Sequence, residues 1–149
     1  MTSIARRILV ATDFSPPSDD ALTAAVEFAR QVGAVVEIVH VEELLAAGIP
    51  LGLAYDNDQS ARAARVDEEL ARRAQLVTKA GVRVEIKILE GDPVVQIVGH
   101  ARETGADLIV LGTHGRRGLS YALLGSVAQR VLQRSPCPVL TVPLAKKVA

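Results

Sequence analysis

The run Leu108-Ile109-Val110-Leu111 has no polar face. A strand that is apolar on both sides must be covered on both sides, as a central strand of a parallel sheet is when helices flank it. Two glycines three residues apart, Gly112 and Gly115, follow at once, and Gly125 stands ten residues further on beside Ser126. Glycines at the carboxyl end of a buried strand, followed by a residue that opens a helix, can gather bare backbone amides and a helix N-terminus around a phosphate group.

The rest of the chain alternates in the same way. Ile8-Leu-Val-Ala-Thr12 reads as the first strand, and Ser18 to Val32 as a helix with Leu22, Ala25, Val26, Ala29 and Val32 on one face; Gly33 ends it. Val35 to Val41 is the second strand. Asp58 to Ala80 reads as a long amphipathic helix, apolar at Val66, Leu70, Ala74 and Val77, and Gly81 stops it. Val82 to Leu89 alternates strictly, Val82, Val84, Ile86 and Ile88 against Arg83, Glu85 and Lys87, which marks a half-exposed strand at a sheet edge. Asp92-Pro93 is an N-cap and first-turn proline for a helix to about Thr104. A short helix from Ser126 to Arg134 turns Val127, Ala128, Val131 and Leu132 inward, Pro136-Cys-Pro138 breaks it, and Val139-Leu-Thr-Val142 is the last strand.

Five strands alternating with four helices imply an α/β fold: a single doubly wound, Rossmann-like domain with a parallel sheet and helices on both faces. With the runs at Ile8 and Leu108 central and the alternating third run at an edge, the strand order is 3-2-1-4-5. The topological switch then falls between strands 1 and 4, and ligands bind such sheets at the carboxyl ends of the strands beside the switch. Those ends are Thr12-Asp13 and Gly112, so the glycine segment coincides with the crevice although the sheet argument did not use the glycines.

Composition excludes several classes. A chain of 149 residues is one domain on length alone, and 17 basic against 17 acidic residues give no global basic field for nucleic acid. Aromatic residues, at 3%, are too few for stacking platforms. A single cysteine, Cys137, permits no intramolecular disulfide. No apolar stretch is long enough to span a bilayer, and the early first strand leaves no room for a signal peptide, so a cytoplasmic location is expected.

With its spacing Gly112-x2-Gly115-x9-Gly125-Ser126 and its flanking runs Arg7-Ile-Leu-Val-Ala-Thr-Asp-Phe-Ser15 and Pro136-Cys-Pro-Val-Leu-Thr-Val142, the chain resembles the universal stress protein family in its ATP-binding branch. The likeness covers nearly all residues. It implies a dimerising domain that binds ATP, with Asp13 facing the ribose and the backbone around Val41 and Ala11 contacting adenine. Leu111 and Gly112 would lie near the ribose, and His114, Gly115, Arg116, Gly125, Ser126 and Val127 would surround the phosphates. Where some relatives carry proline before Thr12-Asp13, this chain has Ala11, a contact made mainly by backbone.

Each candidate also has a plainer reading. The glycines serve turns and close helix–strand contacts equally well. Asp13 either accepts from ribose hydroxyls or helps Ser15 or Ser18 open the first helix. Arg116 and Arg117 either fork onto phosphate or are solvated surface, and His114 either donates to phosphate or fills a turn. His40 reads as a packed or edge histidine, His100 as surface, and Cys137 as a packing residue. The apolar segment from Leu44 to Tyr55 is either a core-covering loop or a lid or partner-binding loop beside the nucleotide. Three scattered histidines and one cysteine make no metal site.

There is no G-x4-G-K-[ST] loop, no G-x-G-x-x-G after the first strand, and no nucleophile–base–acid set at the crevice. The expectation is an ATP-binding regulatory or sensor module of the stress response, with Mg²⁺ or Mn²⁺ accompanying the triphosphate. It forms a homodimer through Val139 to Val142 and acts on an unidentified protein partner. A slow ATPase or a nucleotidyl- or phosphoryl-transfer enzyme on the same fold is the alternative, and a pure interaction protein is the third.

Overall fold

The computed structural model describes residues 5–43, 59–114 and 124–144. Its elements in chain order are β1 (Arg7–Ala11), α1 (Pro16–Val32), β2 (Val35–Glu42), α2 (Gln59–Lys79), β3 (Val84–Glu90), α3 (Pro93–Thr104), β4 (Leu108–Gly112), α4 (Ser126–Arg134) and β5 (Val139–Val142). All four strand pairings are parallel and the order is β3-β2-β1-β4-β5, the doubly wound sheet expected. Val10 sits at the centre, in register with Ile38 on one side and Val110 on the other.

Strand alternation divides the core into two layers. Ile8, Val10, Val36, Ile38 and Val110 face α1 and α2, where they meet Ala21, Leu22, Ala25, Leu70 and Val77. Leu9, Val39, Ile109 and Leu111 face α3 and α4, meeting Val94, Ile97, Val98, Ala128 and Val131. Small alanines on α1 bring that helix close to the sheet. Helix ends follow local chemistry: Gly33 takes the left-handed conformation (φ 72°) that closes α1, and Asp92 Oδ1 accepts from the Val95 amide at 3.0 Å to open α3.

Three expectations are corrected. The inward face of α4 is narrower than the sequence implies, because only Ala128 and Val131 are buried while Val127 and Leu132 are 37% and 43% exposed. A nine-residue helix at the side of a sheet has room for one contact row. β3 lies at the edge as foreseen but begins at Val84, and its apolar side is covered only at that end: Val84 packs against the core, whereas Ile86 and Ile88 are 44% and 41% exposed. His100 is not surface. Its Nε2 contacts Glu37 Oε1, and the two side chains are 10% and 5% exposed. Glu37 projects from the sheet onto the α3 side, and a buried carboxylate requires donors around it. His100 and Arg7 Nη1 supply them, and Arg7 also bonds Glu85 at 2.6 Å.

The two layers differ from the edge in energetic weight. Ile109→Ala, at a fully buried position, should lower unfolding free energy by about 3 kcal/mol in urea denaturation, whereas Ile86→Ala should cost under about 1 kcal/mol. Equal costs would contradict this division of the core.

Candidate functional site

The carboxyl end of β1 runs into a tightly bonded loop. The Thr12 amide donates to the Val39 carbonyl at 2.8 Å, and Thr12 Oγ1 accepts from the Phe14 amide at 3.1 Å while lying 3.1 Å from Ser18 Oγ. Asp13 Oδ1 accepts from the Ser15 amide at 3.0 Å and from the Ser15 hydroxyl, an Asx turn that leads the chain into α1. Asp13 therefore performs the helix-entry role that its plainer reading assigned to it. Phe14 takes a left-handed conformation (φ 67°).

Two residues that sequence reasoning did not connect to this loop hold it. His40, 6% exposed, donates from Nδ1 to the Thr12 carbonyl at 2.8 Å and stacks on the Phe14 ring at 4.4 Å between centroids. Because a carbonyl only accepts, that bond fixes the proton on Nδ1. The Nε2 atom lies 3.4 Å from Glu42 Oε1, and Glu42 is in turn paired with Arg62 of α2. Arg73, also on α2, is buried and reaches the Phe14 carbonyl with Nη2 at 3.2 Å and the Phe14 ring at 4.9 Å. Burial opposes the Arg73 charge, but the hydrogen bonds it donates to Asp19 and Glu69 outweigh it and raise its pKa; the Arg73 bond correspondingly lowers that of Glu69.

At the end of β4 two glycines are required by packing. A Cβ on Gly112 would stand 2.9 Å from the carbonyl carbon and oxygen of Pro17, so β4 can approach the start of α1 only without a side chain. A Cβ on Gly125 would stand 2.7 Å from the Thr113 carbonyl oxygen, to which the Gly125 amide donates at 2.6 Å. That bond seats the first turn of α4 beside Thr113 and His114. His114 Nδ1 lies 3.0 Å from Thr113 Oγ1, while its Nε2 is buried and has no partner among the described residues.

The helix N-termini are not equivalent as anion sites. α1 begins with Pro16 and Pro17, which have no amide hydrogen, and carries Asp19 in its first turn. α3 is closed by the Asp92 carboxylate. α4 has no side-chain cap and no acidic residue in its first turn. The first-turn amides of Ser126 and Val127, both exposed, belong to the one of these three helices whose positive end is left open to an anion.

The structure thus places the sequence candidates it describes in three groups. Ala11, Val41 and Leu111 pack into the same apolar layer under the carboxyl edge, with Leu124 beside them. Thr113, His114, Gly125, Ser126 and Val127 meet at the entry to α4. Thr12 and Asp13 lie on the loop beyond β1. Gly115, Arg116, Arg117 and the apolar segment 44–55 fall outside the described residues. Cys137 is a packing residue at the turn after α4, its amide and carbonyl both bonded to Ser135 Oγ. A recess of about 760 Å³ opens at the opposite, amino end of the sheet, lined in part by Arg6, Arg7 and Arg83. Arg7 there is held above its usual range chiefly by the Glu85 hydrogen bond, and Arg7 lowers Glu85 in return. Parallel sheets bind ligands at the other end, and this recess lacks a helix N-terminus facing a switch point.

Comparison with known proteins agrees with the architecture. Residues 5–143 match the model of the universal stress protein family. The chain is 34% identical over 143 residues to universal stress protein MJ0531 of Methanocaldococcus jannaschii, covering 95% of this chain and 84% of that one. The solved structure of protein MJ0577, from the same organism, superposes with a TM-score of 0.81 at 28% identity, covering 97% and 99% of the two chains. A universal stress protein of Archaeoglobus fulgidus in complex with dAMP superposes with a TM-score of 0.70 at 27% identity, covering 93% and 98%.

The packing of the glycines gives a direct expectation. Gly125→Ala should destabilise the fold by about 1–3 kcal/mol in thermal or urea unfolding, because the new methyl meets a carbonyl and displaces a hydrogen bond. Gly99→Ala, inside α3 with nothing within 4 Å of the added carbon, should stabilise by about 0.5–1 kcal/mol. A neutral Gly125→Ala would show that the α4 entry is not held as described.

Proposed function

The chain belongs to the universal stress protein family, and from that premise we propose that it binds an adenine nucleotide, ATP foremost, and acts as a nucleotide-dependent regulatory module. The observation that carries this reading is the open N-terminus of α4 beside the unpartnered His114 Nε2. Uncapped amides and a buried imidazole nitrogen fit a polyanion, which accepts from both. The dAMP complex of the Archaeoglobus relative supports the choice of adenine.

In this reading the Ser126 and Val127 amides, the Ser126 hydroxyl and His114 receive the phosphates. The backbone around Ala11 and Val41 borders the base, and Thr12, Asp13, Leu111 and Gly112 border the ribose. Gly115 and Arg116 enter from the sequence alone, as neighbours of the phosphates. A bound triphosphate ordinarily brings Mg²⁺ or Mn²⁺ as its counter-charge. Asp13 sits on the β1 loop, and a carboxylate is compatible with a nucleotide there only at its sugar end, because beside the phosphates it would repel them.

The same proposal includes a homodimer. β5 is the last strand of the sheet and Leu140 is 40% exposed, so pairing with a second copy would cover an open edge. No described helix is long and apolar enough to cross a membrane. A cytoplasmic location and an unidentified protein partner complete the regulatory reading. The enzymatic alternative, slow ATP hydrolysis or group transfer, is separated by turnover: release of phosphate or AMP over many cycles per minute would favour it.

Ser126→Glu separates binding from folding. A carboxylate in the first turn of a helix favours the helix dipole but repels phosphate, so the melting temperature should hold or rise while affinity for ATP falls by about tenfold or more in calorimetric titration. Unchanged affinity would remove α4 from the site. Leu140→Asp should shift the sedimentation equilibrium toward monomer, and an unaltered dimer would place the interface elsewhere.

A further inference from the structure

Asp13 and Phe14 lie between two peptide groups that are each held from another element. The Thr12 carbonyl accepts from His40 Nδ1 of β2 at 2.8 Å, and the Phe14 carbonyl accepts from Arg73 Nη2 of α2 at 3.2 Å. The Phe14 backbone is left-handed (φ 67°), a conformation that is unfavourable for a bulky side chain and persists only when its surroundings hold it. Its ring is held by two contacts, the His40 stack and the Arg73 guanidinium.

Arg73 is the part of this frame with the most bonds. Nε donates to Asp19 Oδ1 at 2.7 Å and Nη2 to Asp19 Oδ2 at 3.2 Å, which ties it to α1. Nη1 donates to the Glu69 carbonyl at 3.1 Å and to the Glu69 carboxylate, within its own helix. Helix packing would be served by those bonds alone. The bond to the Phe14 carbonyl and the contact with the Phe14 ring extend the same group to the loop. A planar fork can do all of this at once, whereas a lysine ammonium can keep the charge between Asp19 and Glu69 without reaching the loop in the same geometry.

We propose that Arg73 is a positioning residue for sugar recognition: by fixing the Phe14–Ser15 peptide, whose amide bonds Asp13 Oδ1, and the Phe14 ring, it orients the Asp13 carboxylate toward the hydroxyls of a bound nucleoside. The inference rests on the reading of the crevice as an adenine-nucleotide site. It adds a residue on the far helix α2, buried and remote from the glycine motif, to the determinants of selectivity for ribose over sugars that lack hydroxyls.

The test compares ATP with 2′,3′-dideoxy-ATP by calorimetric titration of the full chain, with melting curves for each variant. The wild type should prefer ATP by about tenfold or more, since a site built to bond a hydroxyl rejects the analogue that lacks it. Arg73→Lys should reduce that preference to about threefold or less while leaving affinity for dideoxy-ATP within about threefold of wild type. Should Arg73→Lys fail to fold, Asp19→Asn keeps the arginine, weakens its tether, and should lower the preference in the same direction. A folded Arg73→Lys that keeps the wild-type preference, or that weakens both ligands equally, overturns the proposal, because a purely structural arginine would act on both alike. Failure of the underlying site reading looks different: the wild type would not bind ATP, or Asp13→Asn would leave the preference intact, and the role of Arg73 would fall with it.

Discussion

Parallel strands cannot be joined by a tight turn, so each pair in this sheet is linked by a crossover that carries a helix. β1 and β4 are apolar on both sides and must be covered on both sides. The chain meets that demand by sending α1 and α2 over one face and α3 and α4 over the other. The helices therefore pass to opposite faces where β1 lies against β4, and in sheets of this topology ligands bind at the carboxyl ends of those two strands. The position of any ligand site follows from this burial constraint before any functional residue is considered.

Local chemistry then decides what the crevice can hold. Proline takes amide hydrogens away from the start of α1, and a carboxylate closes the start of α3. The start of α4 keeps its amides, and the close contact of Gly125 with Thr113 brings them to the end of β4. On the other side of the switch the β1 loop is tied to its neighbours, the Thr12 carbonyl by His40 and the carbonyl of left-handed Phe14 by Arg73. An open positive pole at the end of β4 and a carboxylate at the end of β1 suit the proposed reading, in which a nucleotide runs from phosphate to sugar. Membership of the universal stress protein family fits this arrangement, and relatives of the same fold have been solved with adenine nucleotides such as dAMP.

Much of this was legible in the sequence because period and punctuation are local signals. The Leu108 to Leu111 run fixed a central strand, Gly33 and Asp92 marked helix ends, and alternation in β3 marked an edge. Strand order followed from those elements. What was not legible depended on contacts across the fold. His100 reads as polar surface until Glu37 is known to project from the sheet toward α3. Arg73 reads as one charge among many on α2, although its spacing from Leu70 and Val77 puts it on the buried face; its partners Asp19 and Phe14 come from elsewhere in the fold. Gly112 reads as a ligand contact, yet its missing side chain is required by Pro17. Ile86 and Ile88 follow a buried pattern, but sequence periodicity records which side a residue faces and not whether that side is covered.

The central claim, that the open end of α4 receives a polyanion, is tested most directly by amide NMR of the isotopically labelled chain titrated with magnesium ATP. The account predicts that the largest shift changes fall on the amides of Thr113, His114, Ser126, Val127 and Ala128, with smaller ones at Asp13 and Phe14. Changes centred instead on Arg6, Arg83 and Glu85 at the amino end of the sheet, with α4 unmoved, would contradict it.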